Sequence, residues 1–349
     1  MVYQNKIAAI SIAEKVGFLS QKTAYPDATS FVKVIETHRS WVFLTEDFAY
    51  KLKKPVKNSL HDYSTLEARL YNSQEELRLN RRLAANIYLN VVPLKVDKAG
   101  HLFLEEGGGQ TVDWLVKMKR IPAENMLDIS IKNNTLRGVE IDRVALKLAK
   151  FYQLVPAENI SYLEQRQLLE AEIHQSSEVL LNPAFQLDSK KVRRISAMLF
   201  HFLEENELLF QKRIEEGHIK EGHGDLRPEH ICLRPKSVII DCLEFNRKLR
   251  ILDPADELAF LAIECELLGL PKIGGRFIKK YSALTGDAIP AILINFYKAL
   301  RALVRARLAI LHLLELPYES DSKWRKKTEQ YLKIADNNAG RLIGKISQC

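Results

Sequence analysis

The chain has 349 residues, of which 46% are hydrophobic and 28% charged, a composition typical of a globular protein with one large two-lobed unit or two ordinary domains. Its net charge of +8 fits an anionic ligand such as a nucleotide, and a generally basic surface explains it too, because no single basic block dominates. No uncharged run reaches the roughly 18 residues of a membrane span, and no signal peptide is evident, so we expect a cytoplasmic protein without a membrane partner. The four cysteines lack the spacing of a zinc site.

The first third of the chain is predicted to form a mostly antiparallel sheet with one inserted helix. An amphipathic helix over residues 4–21 precedes the sheet and ends before Pro26. A second helix is expected over residues 64–84, with Ser64 or Thr65 as its N-cap. Runs rich in strand-forming residues predict strands over residues 31–36, 40–45, 48–53, 91–96, 101–104 and 112–118.

From Pro122 onward the pattern is mainly helical. Apolar periodicity predicts helices over residues 141–154, 162–181, 190–216, 257–268, 277–284, 288–316 and 321–343. A doubly wound sheet would alternate strands and helices throughout, whereas here the strands come first and the helices follow. We therefore predict an α+β, bilobal fold with a helical extension over residues 1–29, a small antiparallel-sheet lobe over residues 30–118 and a larger helical lobe over residues 119–349.

Lys51, in the third predicted strand, is a candidate ligand for nucleotide phosphates. Phosphoryl transfer requires a cation at the α- and β-phosphates, and a strand holds such a side chain in a fixed place. This lysine needs a carboxylate partner from the following helix, which Glu75 or Glu76 can supply, with Glu76 slightly favoured. Lys53 and Lys54 are expected to face solvent.

The turn between the first two predicted strands contains no glycine, so a glycine-rich phosphate loop is not predicted there. Thr37, Arg39 and Ser40 could offer side-chain donors to phosphate instead, and a tight hairpin with exposed polar residues explains them equally well. Met118, at the end of the strand-rich part, is the remaining candidate for nucleotide binding. No Gly-x-x-x-x-Gly-Lys-Ser/Thr sequence occurs, which excludes a P-loop mechanism at the level of motifs.

Two aspartates at the ends of a predicted hairpin form the most informative pair in the sequence. Residues 222–230 are predicted to form a polar loop that enters a short strand, and residues 238–241 form a second strand after a turn. Because a hairpin brings its two ends together, we expect Asp225 and Asp241 to lie close to each other. Two such carboxylates suit one group that aligns a hydroxyl and another that holds a metal–phosphate complex.

These residues resemble the catalytic segment of the protein-kinase-like superfamily, and in particular of the aminoglycoside phosphotransferase-like proteins. The family's His-Gly-Asp-Leu loop matches residues 223–226, its metal-binding aspartate matches Asp241, and residues 49–51 match the Val-Ala-Ile-Lys strand of kinases. The resemblance implies a nucleotide in the cleft between two lobes. It also implies that Asp225 accepts the proton of the attacking hydroxyl and that Arg227 stabilises charge on the transferring phosphoryl group.

Residues 36–56, 75–83 and 240–246 together resemble one uncharacterised bacterial branch of this family. Its members are often fused to a C-terminal P-loop domain, which this sequence does not contain. The resemblance covers roughly residues 30–265. It implies that Glu244 and Asn246 line the acceptor side, and it places residues 257–259 in register with an Asp-Leu-Ala that anchors the loop in the family. Asp253 or Asp256 is expected to cap the helix that follows.

His230 stands where the family has a metal-binding asparagine, and three interpretations remain open. It could bind the metal directly, and an imidazole nitrogen would then favour Mn²⁺ or Zn²⁺ over Mg²⁺. It could contact phosphate through its N–H while Asp241 alone holds Mg²⁺. The site could also be degenerate, binding nucleotide with little turnover.

Together these features predict an ATP-dependent phosphotransferase that moves the γ-phosphoryl group to a hydroxyl of a small molecule, with Mg²⁺ or alternatively Mn²⁺ as the metal. The alternative is a weak or inactive nucleotide-binding regulatory module with a kinase-like fold, which the glycine-free turn and His230 both motivate. No basic recognition helix or aromatic platform indicates a nucleic-acid partner, and a protein partner stays open.

Overall fold

The computed structural model describes residues 10–57, 62–104, 107–314 and 321–342. Contacts within the chain divide it into two units. The strand-rich unit comprises the described residues up to Ala123 together with Val238–Arg247. The helical unit comprises Glu124–Ser237 and the described residues from Lys248 onward.

The strand-rich unit is built on one antiparallel sheet. Its strands are β1 Lys33–Glu36, β2 Ser40–Leu44, β3 Phe48–Lys53, β4 Tyr88–Val96, β5 Leu102–Phe103 and β6 Gln110–Lys119. They lie in the order β1-β2-β3-β6-β4-β5, so β3 is an interior strand that pairs with β2 on one side and β6 on the other. Side chains of β3 are therefore held in place by neighbouring strands on both sides.

Two helices accompany this sheet, α1 Ile12–Leu19 and α2 Leu66–Ala84. Helix α2 begins where the sequence predicts, because the Thr65 hydroxyl accepts a hydrogen bond from the Ala68 N–H at 3.1 Å. The short strand β9, Val238–Ile239, also belongs to this unit. Val238 and Ile240 pack against a small cluster that includes Tyr88, and this packing brings the next residue, Asp241, to helix α2 and strand β4.

The helical unit contains nine helices in the described part of the chain and three short strands. The helices are α3 Leu127–Lys132, α4 Gly138–Leu154, α5 Tyr162–Leu180, α6 Ser189–Glu205, α7 Glu207–Glu215, α8 Pro254–Leu267, α9 Pro271–Thr285, α10 Ala291–Leu311 and α11 Asp321–Ala339. The strands are β7 Lys220–Glu221, β8 Ile231–Cys232 and β10 Ile251–Leu252, and β7 pairs with β10.

Helix α8 lies at the centre of the helical unit, and twelve of its residues are buried. Its N-cap is Asp253, one of the two candidates that the sequence offers, and the Asp253 carboxylate accepts the Ala255 N–H at 2.8 Å. Helix α9 packs closely against it at Gly274, where a Cβ would meet Ala262 Cα at 2.5 Å. A glycine at this position therefore lets the two helix backbones approach each other.

The predicted α+β fold, with an antiparallel sheet first and helices after it, is confirmed. The prediction of a single helix over residues 190–216 is wrong, because Asn206 departs from helical dihedral angles and separates α6 from α7. The side-chain amide of Asn206 donates to the Phe202 carbonyl at the end of α6. The predicted first helix is described only from Ile12, and residues 4–9 lie outside the described part. Among the described helices, none is both long and apolar enough to cross a bilayer.

Candidate active site

Lys51 lies at the centre of a group of charged side chains in the strand-rich unit. Its Nζ is 2.9 Å from Glu76 Oε1 on α2 and 3.0 Å from Asp241 Oδ1 after β9. These residues come from three separate segments of one unit. The structure therefore brings together three of the residues that the sequence singled out for nucleotide and metal binding.

Lys53 belongs to the same group, and the prediction that it faces solvent is wrong. Only 1% of its side chain is exposed, and its Nζ contacts Glu76 Oε2 at 2.6 Å and Glu244 Oε1 at 2.5 Å. The reason is geometric: residues two apart on a strand point to the same face, so Lys53 follows Lys51 inward. Lys54 points the other way, where it pairs with Glu36 at the surface. We refer to Lys51, Lys53, Glu76, Asp241 and Glu244 as the ion-pair cluster.

Glu76, and not Glu75, is the partner of Lys51. The Glu76 side chain is fully buried, and each of its two oxygens accepts a hydrogen bond from a different lysine. Glu75 lies about 100° further round the helix and pairs with Arg78 through two bonds of 2.8 Å. The two neighbouring glutamates thus have entirely different environments on one helix.

Asp241 is held by its backbone in a conformation that few residues adopt. Its φ of 60° lies in the left-handed region, which aspartate and asparagine tolerate better than other non-glycine residues. The Asp241 N–H donates to the Tyr88 hydroxyl at 3.1 Å, and the next N–H, of Cys242, donates to Asn80 Oδ1 at 2.9 Å. About half of the carboxylate side chain, 46%, remains exposed.

Lys51 and Glu244 of the ion-pair cluster are charged at neutral pH. Burial disfavours the protonated form of Lys51, but Asp241, Glu76 and Glu244 outweigh this effect and hold the pKa of Lys51 well above its usual value. Burial would raise the pKa of Glu244, but Lys53 and Lys51 lower it to about 2. The hydroxyl of Tyr63 donates to Glu244 at 2.9 Å and remains protonated, because burial and then the Glu244 charge raise the pKa of Tyr63.

In the turn between β1 and β2, polar groups form hydrogen bonds with one another. The Thr37 hydroxyl accepts the Ser40 N–H at 3.0 Å and lies 3.0 Å from the Ser40 hydroxyl, which is buried. The Arg39 guanidinium lies 4.0 Å from the centre of the Phe245 ring. Met118 is half-buried on β6 and packs in the cluster around Tyr88. These four candidates lie outside the ion-pair cluster, and their roles in nucleotide binding stay predictions.

In the helical unit, the loop of residues 222–230 is held by one buried carboxylate, that of Glu257 on α8. This carboxylate accepts the His223 N–H at 3.0 Å, the Gly224 N–H and the Tyr152 hydroxyl. A Cβ on Gly222 would meet Glu257 Oε2 at 2.7 Å, so a glycine is needed where the loop passes the carboxylate. Glu257 therefore fixes the loop that carries Asp225, and we refer to residues 222–230 as the aspartate loop.

Three predicted site residues meet within the aspartate loop. Arg227 Nε lies 3.6 Å from Asp225 Oδ1, and Arg227 also pairs with Glu229. His230 Nδ1 lies 2.8 Å from the Asp225 carbonyl oxygen and 3.7 Å from its carboxylate. A carbonyl can only accept a hydrogen bond, so Nδ1 of His230 carries a proton and, in the neutral ring, Nε2 carries the lone pair.

The described residues contain no group of three or more His, Cys, Asp or Glu side chains that could hold a metal ion by themselves. Mg²⁺ at nucleotide sites is usually held by one or two carboxylates together with phosphate oxygens. A half-exposed oxygen donor such as Asp241 fits that kind of site. His230 offers a single nitrogen, which is a softer donor than Mg²⁺ prefers.

The sequence did not single out three residues that complete these arrangements. They are Lys53, which neutralises two buried carboxylates, Tyr63, which donates to Glu244, and Tyr88, which accepts the Asp241 N–H. The inward position of Lys53 could have been predicted, because it lies two residues from Lys51 on the same strand. The roles of the two tyrosines depend on tertiary contacts that leave no local pattern.

A scan against models of known protein families finds no match for this chain. Curated proteins of Mycobacterium tuberculosis and Mycobacterium bovis, both described as uncharacterized, are 35% identical over 280 residues, which cover 79% of this chain and 54% of each relative. The chain thus spans about half the length of the curated relatives it matches.

Solved structures of small-molecule kinases share the fold. A choline kinase from Cryptosporidium parvum has a TM-score of 0.55 at 12% identity, with 94% of this chain and 96% of that chain covered. A choline/ethanolamine kinase family protein from Mesorhizobium loti has a TM-score of 0.54 at 14% identity, covering 95% and 99%. The GDP complex of aminoglycoside 2'-phosphotransferase-IIIa has a TM-score of 0.51 at 16% identity, covering 93% and 98%. The chain therefore shares the fold of these small-molecule kinases.

Proposed function

We propose that the protein is an ATP-dependent phosphotransferase that moves the γ-phosphoryl group to a hydroxyl of a small molecule in the cytoplasm. The observation that carries this proposal is the position of Lys51, whose ammonium lies within 3.0 Å of both Glu76 and Asp241. A lysine oriented by a helix glutamate and placed beside a metal-binding carboxylate is the arrangement that phosphoryl transfer requires. Relatives by fold include a choline kinase and an aminoglycoside phosphotransferase, which supports the reaction class.

Each residue has a separate role in this proposal. Lys51 neutralises the α- and β-phosphates, and Glu76 keeps its side chain extended toward them. Asp225 accepts a hydrogen bond from the attacking hydroxyl and takes its proton late, and Arg227 stabilises charge on the transferred group. Asp241 would hold Mg²⁺, which neutralises phosphate charge when bound.

His230 has a positioning role in this proposal. Its Nδ1 proton is donated to the Asp225 carbonyl, so the imidazole supports the backbone of the residue that aligns the hydroxyl. Such a residue acts through Asp225 and need not bind the metal. Comparing Mg²⁺ with Mn²⁺ in His230→Asn and in the wild type tests this role. Equal metal preference is expected, and a switch from Mn²⁺ toward Mg²⁺ in the variant would indicate direct coordination.

The experiment that tests the function is a screen of hydroxyl compounds for transfer of labelled phosphate from ATP. We expect Asp225→Asn and Lys51→Met each to lower the rate by about 10² or more, since each removes a group that acts in the transition state. Lys54→Met is the matched control, because Lys54 follows β3, pairs with the exposed Glu36 and lies outside the ion-pair cluster. It should retain full activity.

Two outcomes would contradict the proposal. Equal rates in the wild type and in Asp225→Asn would remove the aspartate from the mechanism. Thermal stabilisation by ATP with Mg²⁺ or Mn²⁺, without transfer to any acceptor in the screen, would favour the alternative of a nucleotide-binding regulatory module. The β1–β2 turn favours this alternative, because it contains no glycine and its hydroxyl groups already form hydrogen bonds with one another.

A further inference from the structure

Three arginine side chains gather around one buried carboxylate of the helical unit, that of Glu140 on α4. Glu140 Oε1 lies 2.8 Å from Arg137 Nη2 and 2.6 Å from Arg234 Nε. Arg143 Nη2 lies 3.9 Å from the same oxygen. These guanidinium groups come from the N-cap of α4, from α4 itself and from the turn after β8, so segments far apart in the chain meet here. We refer to Arg137, Arg143 and Arg234 as the arginine cluster.

The arginine cluster carries more positive charge than its carboxylate neutralises. Within the ranges that the structure describes, its three members pair with no carboxylate other than that of Glu140. Hydrogen bonds from Arg234 and then from Arg137 lower the pKa of Glu140 to about 2, so this carboxylate is ionised at neutral pH. Arginine side chains keep their proton in proteins. Three positive charges and one negative charge therefore leave a surplus of two positive charges.

Helix α10 shows a different arrangement of arginines in the same unit. Each of three arginines there has a carboxylate of its own, in the pairs Arg301–Asp256, Arg305–Glu264 and Arg307–Glu172. Those arginines are mostly buried. Side chains of the arginine cluster are instead 63%, 43% and 31% exposed, in chain order. The cluster thus combines unbalanced charge with access from solvent, whereas the arginines of α10 hold helices together.

Helix α9 adds positive charge beside the arginine cluster. A Cβ on Gly138, the first residue of α4, would lie 2.8 Å from Arg276 Nη1, so this guanidinium lies against the start of the helix. Arg276 and Lys280 share the carboxylate of Asp142, at 2.9 and 3.4 Å. Two cations again face one carboxylate. The neighbouring charges therefore reinforce the positive potential of the cluster.

We propose that the arginine cluster is a binding site for the phosphate monoester group of a small molecule. Such a group carries roughly −1.5 to −2 charges at pH 7, which matches the surplus of two positive charges. Its oxygens suit the paired donors of guanidinium groups. Because the three guanidinium groups converge on one point, they outline a site for one compact anion, whereas an extended polyanion is met by cations along a groove.

This inference does not depend on the proposed phosphotransferase activity, in which no member of the arginine cluster has a role. Its first test is calorimetric titration of the full chain with three ligands. Glucose 6-phosphate is a monoester, dimethyl phosphate is a diester with a single charge, and glucose is the uncharged control. We expect glucose 6-phosphate to bind at least about tenfold more tightly than dimethyl phosphate, and glucose not to bind, because the second charge strengthens the charge-assisted hydrogen bonds.

Substitutions show whether the cluster is responsible for this binding. Arg143→Gln and Arg137→Gln should each weaken binding of glucose 6-phosphate about tenfold, because each removes charge-assisted hydrogen bonds. Arg194→Gln is the matched control, since it removes an equally charged, exposed arginine that has Asp336 as its own partner at 2.5 Å. It should bind like the wild type. Equal weakening in Arg143→Gln and Arg194→Gln would overturn the proposal, because net charge alone would then explain the binding.

The second test locates the bound anion. Arginines of the full chain are labelled with ¹³C at Cζ, and the resonances of Arg137 and Arg143 are assigned by their loss in the two variants. Inorganic phosphate should shift both resonances at concentrations where chloride of equal ionic strength does not. The Arg194 resonance should stay in place. A shift of Arg227, in the aspartate loop, without a shift of Arg137 or Arg143 would overturn the proposal.

Further ligands distinguish a small molecule from other sources of phosphate. Vesicles that contain phosphatidylglycerol and a phosphoserine peptide are tested in the same way. If either binds more tightly than glucose 6-phosphate, and the binding is lost in Arg143→Gln, a membrane or a protein is the partner and the small-molecule assignment is wrong. Preference for glucose 6-phosphate that is lost in Arg137→Gln and Arg143→Gln, with melting temperatures equal to that of the wild type, supports the proposal.

Discussion

The ion-pair cluster and the aspartate loop, one in each unit, are stabilised in different ways. In the strand-rich unit, the ion-pair cluster places two lysines among three carboxylates, and its order depends on side-chain charge. In the helical unit, the aspartate loop is held through its backbone, by N–H groups that donate to Glu257. The first part should respond to the loss of a charge, and the second to the loss of a hydrogen-bond acceptor.

Substitutions in the two places should also differ in what they change first, the stability of the fold or the rate of the reaction. Lys53 and Glu76 are buried almost completely, so a change there acts first on folding. The carboxylate of Asp225 is 30% exposed, so a change there acts first on the reaction. Substitutions of similar size can therefore distinguish residues that build the site from residues that act in it.

The largest expected effect comes from Lys53→Met. It removes the cation between two buried carboxylates, Glu76 and Glu244, and should lower the free energy of unfolding by roughly 3–5 kcal/mol. Urea denaturation followed by circular dichroism measures the change. Lys54→Met is the control and should cost about 0–1 kcal/mol, since its ion pair with Glu36 is at the surface. Equal losses in the two variants would show that burial of Lys53 is not what stabilises the unit.

A smaller effect is expected from Glu257→Ala. The change leaves the N–H groups of His223 and Gly224 without their acceptor, and the loss at the buried His223 N–H costs roughly 1–3 kcal/mol. Hydrogen exchange at these two amides should accelerate, whereas exchange in the strand-rich unit should not change. Glu257→Gln retains one carbonyl acceptor and should lie between the wild type and the alanine variant. Unchanged exchange at both amides would refute the role given to Glu257.

Glu244→Gln should remove a contribution to stability that depends on pH. The pKa of Glu244 is lowered from 4.5 to about 2, so its contribution to stability is fully present above its unfolded pKa and is lost as pH falls toward 2. The wild type should lose stability between about pH 5 and pH 2, and the variant should show a shallower slope there. Denaturation midpoints measured across this range provide the comparison, and parallel curves would exclude Glu244 as the titrating group.

Local patterns in the sequence predicted the parts of this molecule that depend on neighbouring residues. Thr65 and Asp253 cap their helices with their own side chains. Strand β3 contains Phe48 and Tyr50, and aromatic residues are enriched in strands. The inward position of Lys53 was also open to prediction, because it shares a face with Lys51 on a strand.

Other features leave no local pattern, because the partners lie far apart in the chain. Glu257 lies 34 positions after His223, and only the resemblance to the family indicated that residues 257–259 anchor the aspartate loop. Helix α11 packs against α8 and α10, so that Lys327 is half-buried while its neighbour Lys326 is exposed, and the sequence shows both only as lysines of one helix. Burial, rather than residue type, distinguishes Lys327 from Lys326.

The double engagement of Glu76 has a consequence for regulation. Kinase-like proteins can be controlled by movement of the helix that carries this glutamate, because a single ion pair breaks when the helix swings outward. Here one glutamate accepts from Lys51 and from Lys53, so an outward swing of α2 would break two ion pairs and expose a buried carboxylate. Displacement of α2 would therefore cost more free energy than displacement of a helix held by one ion pair.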